Sequence, residues 1–224
     1  MSRRLDVARE YYPVFFDLQG RSVLVVGGGQ LALEKVQGLL AAQAMVTVVA
    51  PALNEELASL RNEGQIQHLA REYQQGDMHG RALVMAAGDD RSANQSLHAD
   101  ARDIGVPLNA ADDPANCDFI LPAVVRKPPL TLAISTGGGS PAMARRIREE
   151  LTDYLDAETS SLAELVAEVR AELRGRGLFR SIPAESWQSA MDGQLRILLA
   201  QRRRDEAKAL LMTRLRAAMA ESDQ

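Results

Sequence analysis

The sequence predicts an α/β fold: a parallel sheet covered by helices on both faces, then a strand pair, then a helical C-terminal region. Three observations carry this. Short runs such as Ser22–Val26 (SVLVV) and Met45–Val49 (MVTVV) are apolar throughout, as in strands buried on both faces, and lack the alternation of strands with one wet face. Helical patterns separate these runs, which is the signature of parallel strands joined by crossover helices. Beyond residue 140 the composition is almost wholly helix-forming.

In chain order, Ser22–Val26 is the first strand, and Ala32, Val36, Leu39 and Leu40 recur at helical spacing behind it. Met45–Val49 follows, with a polar helix near 54–62. Further short strands are expected at 66–70 (IQHLA), 83–87 (LVMAA) and 106–110 (VPLNA), with a helix at about 91–104 between the last two. The pattern changes at Asp112-Asp113-Pro114. Residues 119–136 (FILPAVVRKPPLTLAIST) hold two β-rich runs joined by Lys127-Pro128-Pro129, which predicts an antiparallel pair. Ser140 then suits an N-cap and Pro141 the first position of a helix. The helical remainder is broken near 175–177 and 181–183. The expected division is 1–112, a sheet domain of Rossmann-like type; 113–150, a strand-pair segment with the start of a basic helix; and 151–224, a helical domain.

Composition excludes several classes. A chain of 224 residues suffices for one sizeable domain and a smaller one. A net charge of −4 gives no footprint for nucleic acid. No run approaches the roughly eighteen apolar residues of a membrane helix, and the opening MSRRLDVAREYYPVFFDL lacks the apolar core of a signal peptide. The single cysteine, Cys117, cannot form an intrachain disulfide and fits a reducing, cytoplasmic setting; no histidine lies near it, so it is expected to pack rather than react. His68, His79 and His98 are scattered without metal-ligand spacing, so no metal site is expected. Arg202, Arg203 and Arg204 are expected on a solvated helix surface.

Gly27 and Gly29 followed by Ala32 fit the G-x-G-x-x-G/A pattern directly after a strand and at the start of a helix, the context in which this pattern binds a dinucleotide. Gly27 permits a tight turn, Gly29 lets the backbone approach a pyrophosphate, and the helix N-terminus faces the phosphates. The same turn also occurs in α/β domains without a nucleotide. The acidic residue that usually ends the second strand and holds the ribose is missing; the chain has Ala50 and Pro51 there. The remaining candidates for contact are the backbone of Ala50 and Pro51, with Gln30 and Leu31 at the turn. No arginine follows to accept a 2′-phosphate, which favours NAD over NADP.

A second constellation, LNAADDPANCDFILPA, places Asn109, Asp112 and Asp113 just past a strand, at the sheet edge where ligands of such folds bind. A carboxylate there can take protons from a substrate, or the segment can be a plain turn. A third, STGGGSPAMARRIREE, sets Thr136, Gly137 and Gly138 before a helix carrying Arg145, Arg146 and Arg148. Glycine amides at a helix start can cradle an anion, and the arginines suit a substrate with several carboxylates. Alternatively, the arginines pair with Glu149 and Glu150 on a solvated helix.

Together these residues resemble the precorrin-2 dehydrogenase and sirohydrochlorin ferrochelatase family, the N-terminal part of siroheme synthases and their stand-alone relatives. The resemblance runs from YYPVFFDLQGRSVLVVGGGQLALEK through VTVVAP, AAGDDRSANQ and LNAADDPANCDFILPAVV to LAISTGGGSPAMARRIREEL, residues 11–151, with a looser match around Trp187. The family shows the Ala50-Pro51 ending. The resemblance implies NAD-dependent oxidation of precorrin-2 to sirohydrochlorin and, in bifunctional members, insertion of ferrous iron. It places the catalytic base at Asp112, cofactor contacts at Gly27 to Leu31 and Ala50-Pro51, and substrate contacts at Asn109, Thr136, Gly137, Gly138 and the arginines. It also implies a homodimer interlocked through residues 113–150.

The chain departs from the family at Gly88, where relatives often carry threonine before the Asp89-Asp90 pair, and at Thr136, which corresponds to a phosphorylatable serine of some members. Asp113 beside Asp112 adds a second negative charge to the pair. No room is left for a methyltransferase domain, so another protein is expected to supply precorrin-2. An NAD-sensing regulatory module without catalysis is the alternative of a different class. Such modules generally keep the acid after the second strand, and they have no need of STGGGSPAMARR.

Overall fold

A computed structural model describes residues 10–88 and 92–222. Residues 1–9, on which half of the leader reading rests, and Asp89, Asp90 and Arg91 lie outside the described residues. The chain divides into two compact units, Met1–Leu121 with Gly137–Gly139, and Pro122–Thr136 with Ser140–Gln224.

The first unit contains β1 (Ser22–Val26), α1 (Gln30–Ala41), β2 (Met45–Val49), α2 (Glu55–Asn62), β3 (Ile66–Leu69), β4 (Leu83–Ala86), α3 (Ser92–Ile104) and β5 (Leu108–Ala110). The strands form one parallel sheet in the order β3-β2-β1-β4-β5. Side chains alternate across it. Val23, Val25, Val46, Val48 and Met85 pack against Ala32, Leu33, Val36 and Leu57 on one face. Leu24, Val84, Ala86 and Leu108 pack against Leu97 and Ala101 on the other. Burial on both faces is why these strands read as unbroken apolar runs. Chain order reverses between β1 and β4, which opens the crevice where ligands of such sheets bind. The last strand is shorter than expected, because Val106 and Pro107 precede the ladder. A 3₁₀ turn at Gln75–Met78, which the sequence pattern did not signal, plugs the fully buried Met78 into the second face.

In the second unit, β6 (Ala123–Lys127) and β7 (Leu130–Ile134) pair antiparallel around Pro128-Pro129, in register from Ala123↔Ile134 to Lys127↔Leu130. α4 (Pro141–Tyr154) starts as expected, with the Ser140 hydroxyl accepting from the Met143 amide at 3.2 Å. Helices α5 (Ala157–Gly175), α6 (Ala184–Ala190), α7 (Gly193–Ala200) and α8 (Arg204–Ser222) follow. They enclose Leu165, Val169, Leu173, Leu195, Leu211 and Leu215, all fully buried. Breaks near 175–177 and 181–183 occur as expected. Two more are set by aspartate caps, Asp156 on α5 and Asp192 on α7. Of the expected helix surface Arg202–Arg204, Arg204 is the first residue of α8 and pairs with Glu168, while Arg202, with φ 59°, and Arg203, which pairs with Glu206, form the turn before it.

Candidate active site

The glycine turn is built from three glycines in three different settings. Gly27 has φ 125°, and a Cβ there would lie 2.5 Å from the Ala87 carbonyl oxygen. This residue therefore combines a left-handed backbone with direct contact to the end of β4. A Cβ on Gly28 would lie 2.0 Å from the Ala52 carbonyl oxygen, so the turn after β2 rests on Gly28 itself. Gly29, the N-cap of α1, is different: a Cβ there meets nothing within 4 Å. The surface above Gly29 is open, and no side chain caps α1. The first amides of a helix lack intrahelical partners and carry the positive end of its dipole. Gln30 is exposed and Leu31 half-buried beside this opening. An open cradle over Gly29, closed by backbone under Gly27 and Gly28, fits a dinucleotide pyrophosphate.

Ala50 and Pro51 leave β2 at the same edge. The Ala50 amide donates to the Leu69 carbonyl at 3.3 Å, and its own carbonyl meets His68 Nε2 at 2.9 Å. Pro51 is exposed. Three residues on, the Asn54 amide donates to the Gly28 carbonyl at 2.8 Å while its side chain caps α2 through the Leu57 amide at 2.8 Å.

Asp112 follows β5. It is exposed, and its φ of 56° puts it in the left-handed region, which aspartate tolerates better than most residues. The Ala111 amide donates to Ala86 at 3.0 Å, so Asp112 leaves the sheet beside the end of β4. The loop behind it is fastened at several points. The side-chain amide of buried Asn109 donates to the Phe119 carbonyl at 2.9 Å, and the Asp118 carboxylate accepts from the Leu108 backbone amide at 2.9 Å. Asp113 accepts from Asn116 at 2.8 Å and Asn94 at 3.4 Å. Two adjacent carboxylates thus have different settings, one turned to side-chain amides and the other to the open edge. Asn109 stands inside the fold, as an anchor for the Asp112 loop.

The remaining candidates lie around the start of α4. Gly137 and Gly138 both have positive φ, 63° and 84°. The Thr136 hydroxyl accepts from the Ser140 amide at 2.9 Å. Two of the three arginines have glutamate partners. Arg146 pairs with Glu150 at 3.0 Å, and Arg148 with Glu149 at 3.4 Å, as on a solvated helix. Arg148 also lines an open cavity of about 500 Å³ with Val124, Arg126 and Thr152, wholly within the second unit. Arg145 is exposed, and no ion pair is seen for it among the described residues. No group of His, Cys, Asp and Glu suited to a metal ion occurs among the described residues.

Sequence reasoning passed over Gly28, His68 and the bonding of Cys117. The first had a signal, a third glycine opposite the small Ala52; the other two depend on which strands become neighbours.

Comparison with known proteins agrees with this geometry. Residues 14–123 match the family model described as "Putative NAD(P)-binding", and residues 128–154 match "Sirohaem biosynthesis protein central". The chain is 37% identical over 202 residues to a siroheme synthase of Thioalkalivibrio sulfidiphilus, covering 90% of this chain and 41% of that protein. It is 38% identical over 218 residues to the siroheme synthase of Pseudomonas paraeruginosa, covering 94% and 45%. The chain thus spans less than half the length of these curated relatives. Among solved structures, SirC, a precorrin-2 dehydrogenase, superposes with a TM-score of 0.70 at 27% identity, covering 91% of this chain and all of that one. No helix among the described residues is long and apolar enough to cross a membrane. With a dinucleotide-type sheet edge, an aspartate at its rim and both matching segments in order, the chain belongs to the siroheme-biosynthesis family that includes the siroheme synthases and precorrin-2 dehydrogenase.

Proposed function

We propose that the chain oxidises precorrin-2 to sirohydrochlorin with NAD. The observation that supports this most is the convergence of three features on one sheet edge. These are the open Gly29 cradle after β1, the Ala50-Pro51 turn after β2, and exposed Asp112 after β5. The residues that would hold the dinucleotide are Gly27, Gly29, Gln30 and Leu31 around the pyrophosphate, and Ala50-Pro51 at the adenosine ribose. When bound, the nicotinamide accepts a hydride. The substrate gives up that hydride and one proton, two electrons in all, and a carbon–carbon double bond forms. Asp112 takes the proton as general base. Asn109 acts indirectly by holding the loop that carries Asp112. Thr136, Gly137, Gly138, Arg145, Arg146 and Arg148 are proposed contacts for the substrate's carboxylates. The work is divided among residues 1–112, 113–150 and 151–224 as cofactor, dimerisation and helical segments.

Ferrous iron insertion into sirohydrochlorin is the second proposed activity, suggested by the siroheme synthase relatives. Iron is a substrate in that reaction, and Asp112 would again accept protons, from pyrrole nitrogens. A homodimer and a cytoplasmic location complete the proposal.

Purified protein supplied with precorrin-2 and NAD should form NADH and sirohydrochlorin in equal amounts. NAD binding without turnover would favour the sensor, and no NAD binding would remove the cofactor assignment. Ferrous iron and sirohydrochlorin, incubated with and without the protein, test the chelatase activity separately.

A further inference from the structure

We infer that His68 is a positioning residue for the adenosine half of the cofactor, an inference that rests on the cofactor site proposed above. The position after β2 that ordinarily carries a ribose-binding acid is Ala50, which has no functional side chain. Any contact there must come from backbone, and backbone recognises a ligand only if it is held in place. The strand β3 holds both polar groups of Ala50. The Leu69 carbonyl accepts from the Ala50 amide at 3.3 Å, and His68 Nε2 lies 2.9 Å from the Ala50 carbonyl. A carbonyl only accepts, so Nε2 carries the proton and the ring donates. The next residue, Pro51, has no amide hydrogen and cannot anchor itself that way. The following anchor is the Asn54 amide on Gly28, whose Cα leaves no room for a Cβ against Ala52. The Ala50–Ala52 turn is therefore pinned between β3 and the glycine turn, with the His68 ring as the side-chain pin on the β3 side. A carbonyl oxygen has two lone pairs, so the one His68 leaves free can meet a ribose hydroxyl.

The test is equilibrium binding of NAD and of AMP to the full chain, for the wild type, His68→Leu, His68→Gln and His68→Asn. Glutamine places an amide donor at a reach similar to Nε2, and asparagine is one methylene shorter. The expected result is a Kd for NAD raised about three- to tenfold in His68→Leu and His68→Asn, the scale of one lost hydrogen bond. Kd for AMP should rise by the same factor, and His68→Gln should recover most of both. In turnover, KM for NAD should rise by that factor while kcat at saturating NAD changes less. A His68→Leu protein that binds NAD as tightly as the wild type overturns the inference. Equal losses in the glutamine and asparagine variants do the same, since they would mean the ring only fills space; that pair decides the matter if the leucine variant does not fold. Wild-type protein that binds neither NAD nor AMP would overturn the cofactor site itself, a different outcome from tight binding that ignores residue 68.

Discussion

The thiol of Cys117 grips both backbone groups of Ala110. Its sulfur accepts from the Ala110 amide at 3.2 Å and donates toward the Ala110 carbonyl at 3.0 Å, with the Asp113 carbonyl at 3.3 Å. Ala110 is the last residue of β5, and Asp112 is two residues on. A buried cysteine, which packing alone would explain, here closes the loop that presents the aspartate. Cys117→Ala should lower stability by about 1–2 kcal/mol, the scale of buried polar groups left unsatisfied, and should reduce turnover more than NAD affinity. Cys117→Ser, which keeps a donor and acceptor, should recover part of both. Urea unfolding and steady-state kinetics on the two variants check this.

Asp112 combines a reactive group with a left-handed backbone. Asp112→Ala should abolish turnover while NAD affinity stays intact, since the glycine turn is untouched. Asp112→Gly removes the same carboxylate and relieves the positive φ, so it should be more stable than Asp112→Ala by about 1 kcal/mol. Denaturant midpoints for the two proteins, beside precorrin-2 oxidation and an NAD titration, read all three quantities. An Asp112→Ala protein that turns over at the wild-type rate would remove the base assignment.

Adjacent glycines should fail in different ways. Gly28→Ala drives a methyl into the Ala52 carbonyl oxygen, 2.0 Å away, and the neighbour that must yield is backbone. Folding should suffer, with Tm lowered by several degrees. Gly29→Ala points its methyl into open space, so Tm should hold while the Kd for NAD rises at least tenfold. Thermal melts and NAD binding on both variants give this contrast directly.

The acid limb of stability should depend on Arg71. Its guanidinium bonds Asp77 at 2.6 Å and holds that carboxyl below its ordinary value, with the Gln74 amide assisting against burial. A carboxyl whose folded pKa is depressed contributes stability that is fully present above its unfolded value, about 4, and is lost as pH falls through the folded value. Arg71→Ala should therefore be less stable than the wild type at about pH 7. The gap should narrow as the pH is lowered past the ordinary carboxylate range. Urea unfolding across that range measures the gap.

Much of this was legible without coordinates, for reasons that can be named residue by residue. Buried parallel strands announce themselves as apolar runs, so SVLVV and MVTVV were placed to the residue. Ser140-Pro141 marked the start of α4 because cap and N1 preferences are local. Helix breaks at Asp156 and Asp192 were less visible, since an aspartate inside a helix-rich stretch is equally at home on a solvated face. The arginines at 145, 146 and 148 show the opposite limit. Spacing put them on one helix with Glu149 and Glu150 as possible partners, and the tertiary structure decides that Arg146 and Arg148 take them.

The sequence by itself determined the alternation of strand and helix, the phosphate-type glycine turn and the family, because each is written in contiguous residues whose local preferences agree. Tertiary structure alone decided which distant groups meet: His68 on the Ala50 carbonyl, Gly28 under Ala52, Cys117 and Asn109 behind Asp112. Those pairings depend on strand order and on the lengths of the connecting loops, and neither is encoded at the positions that come into contact.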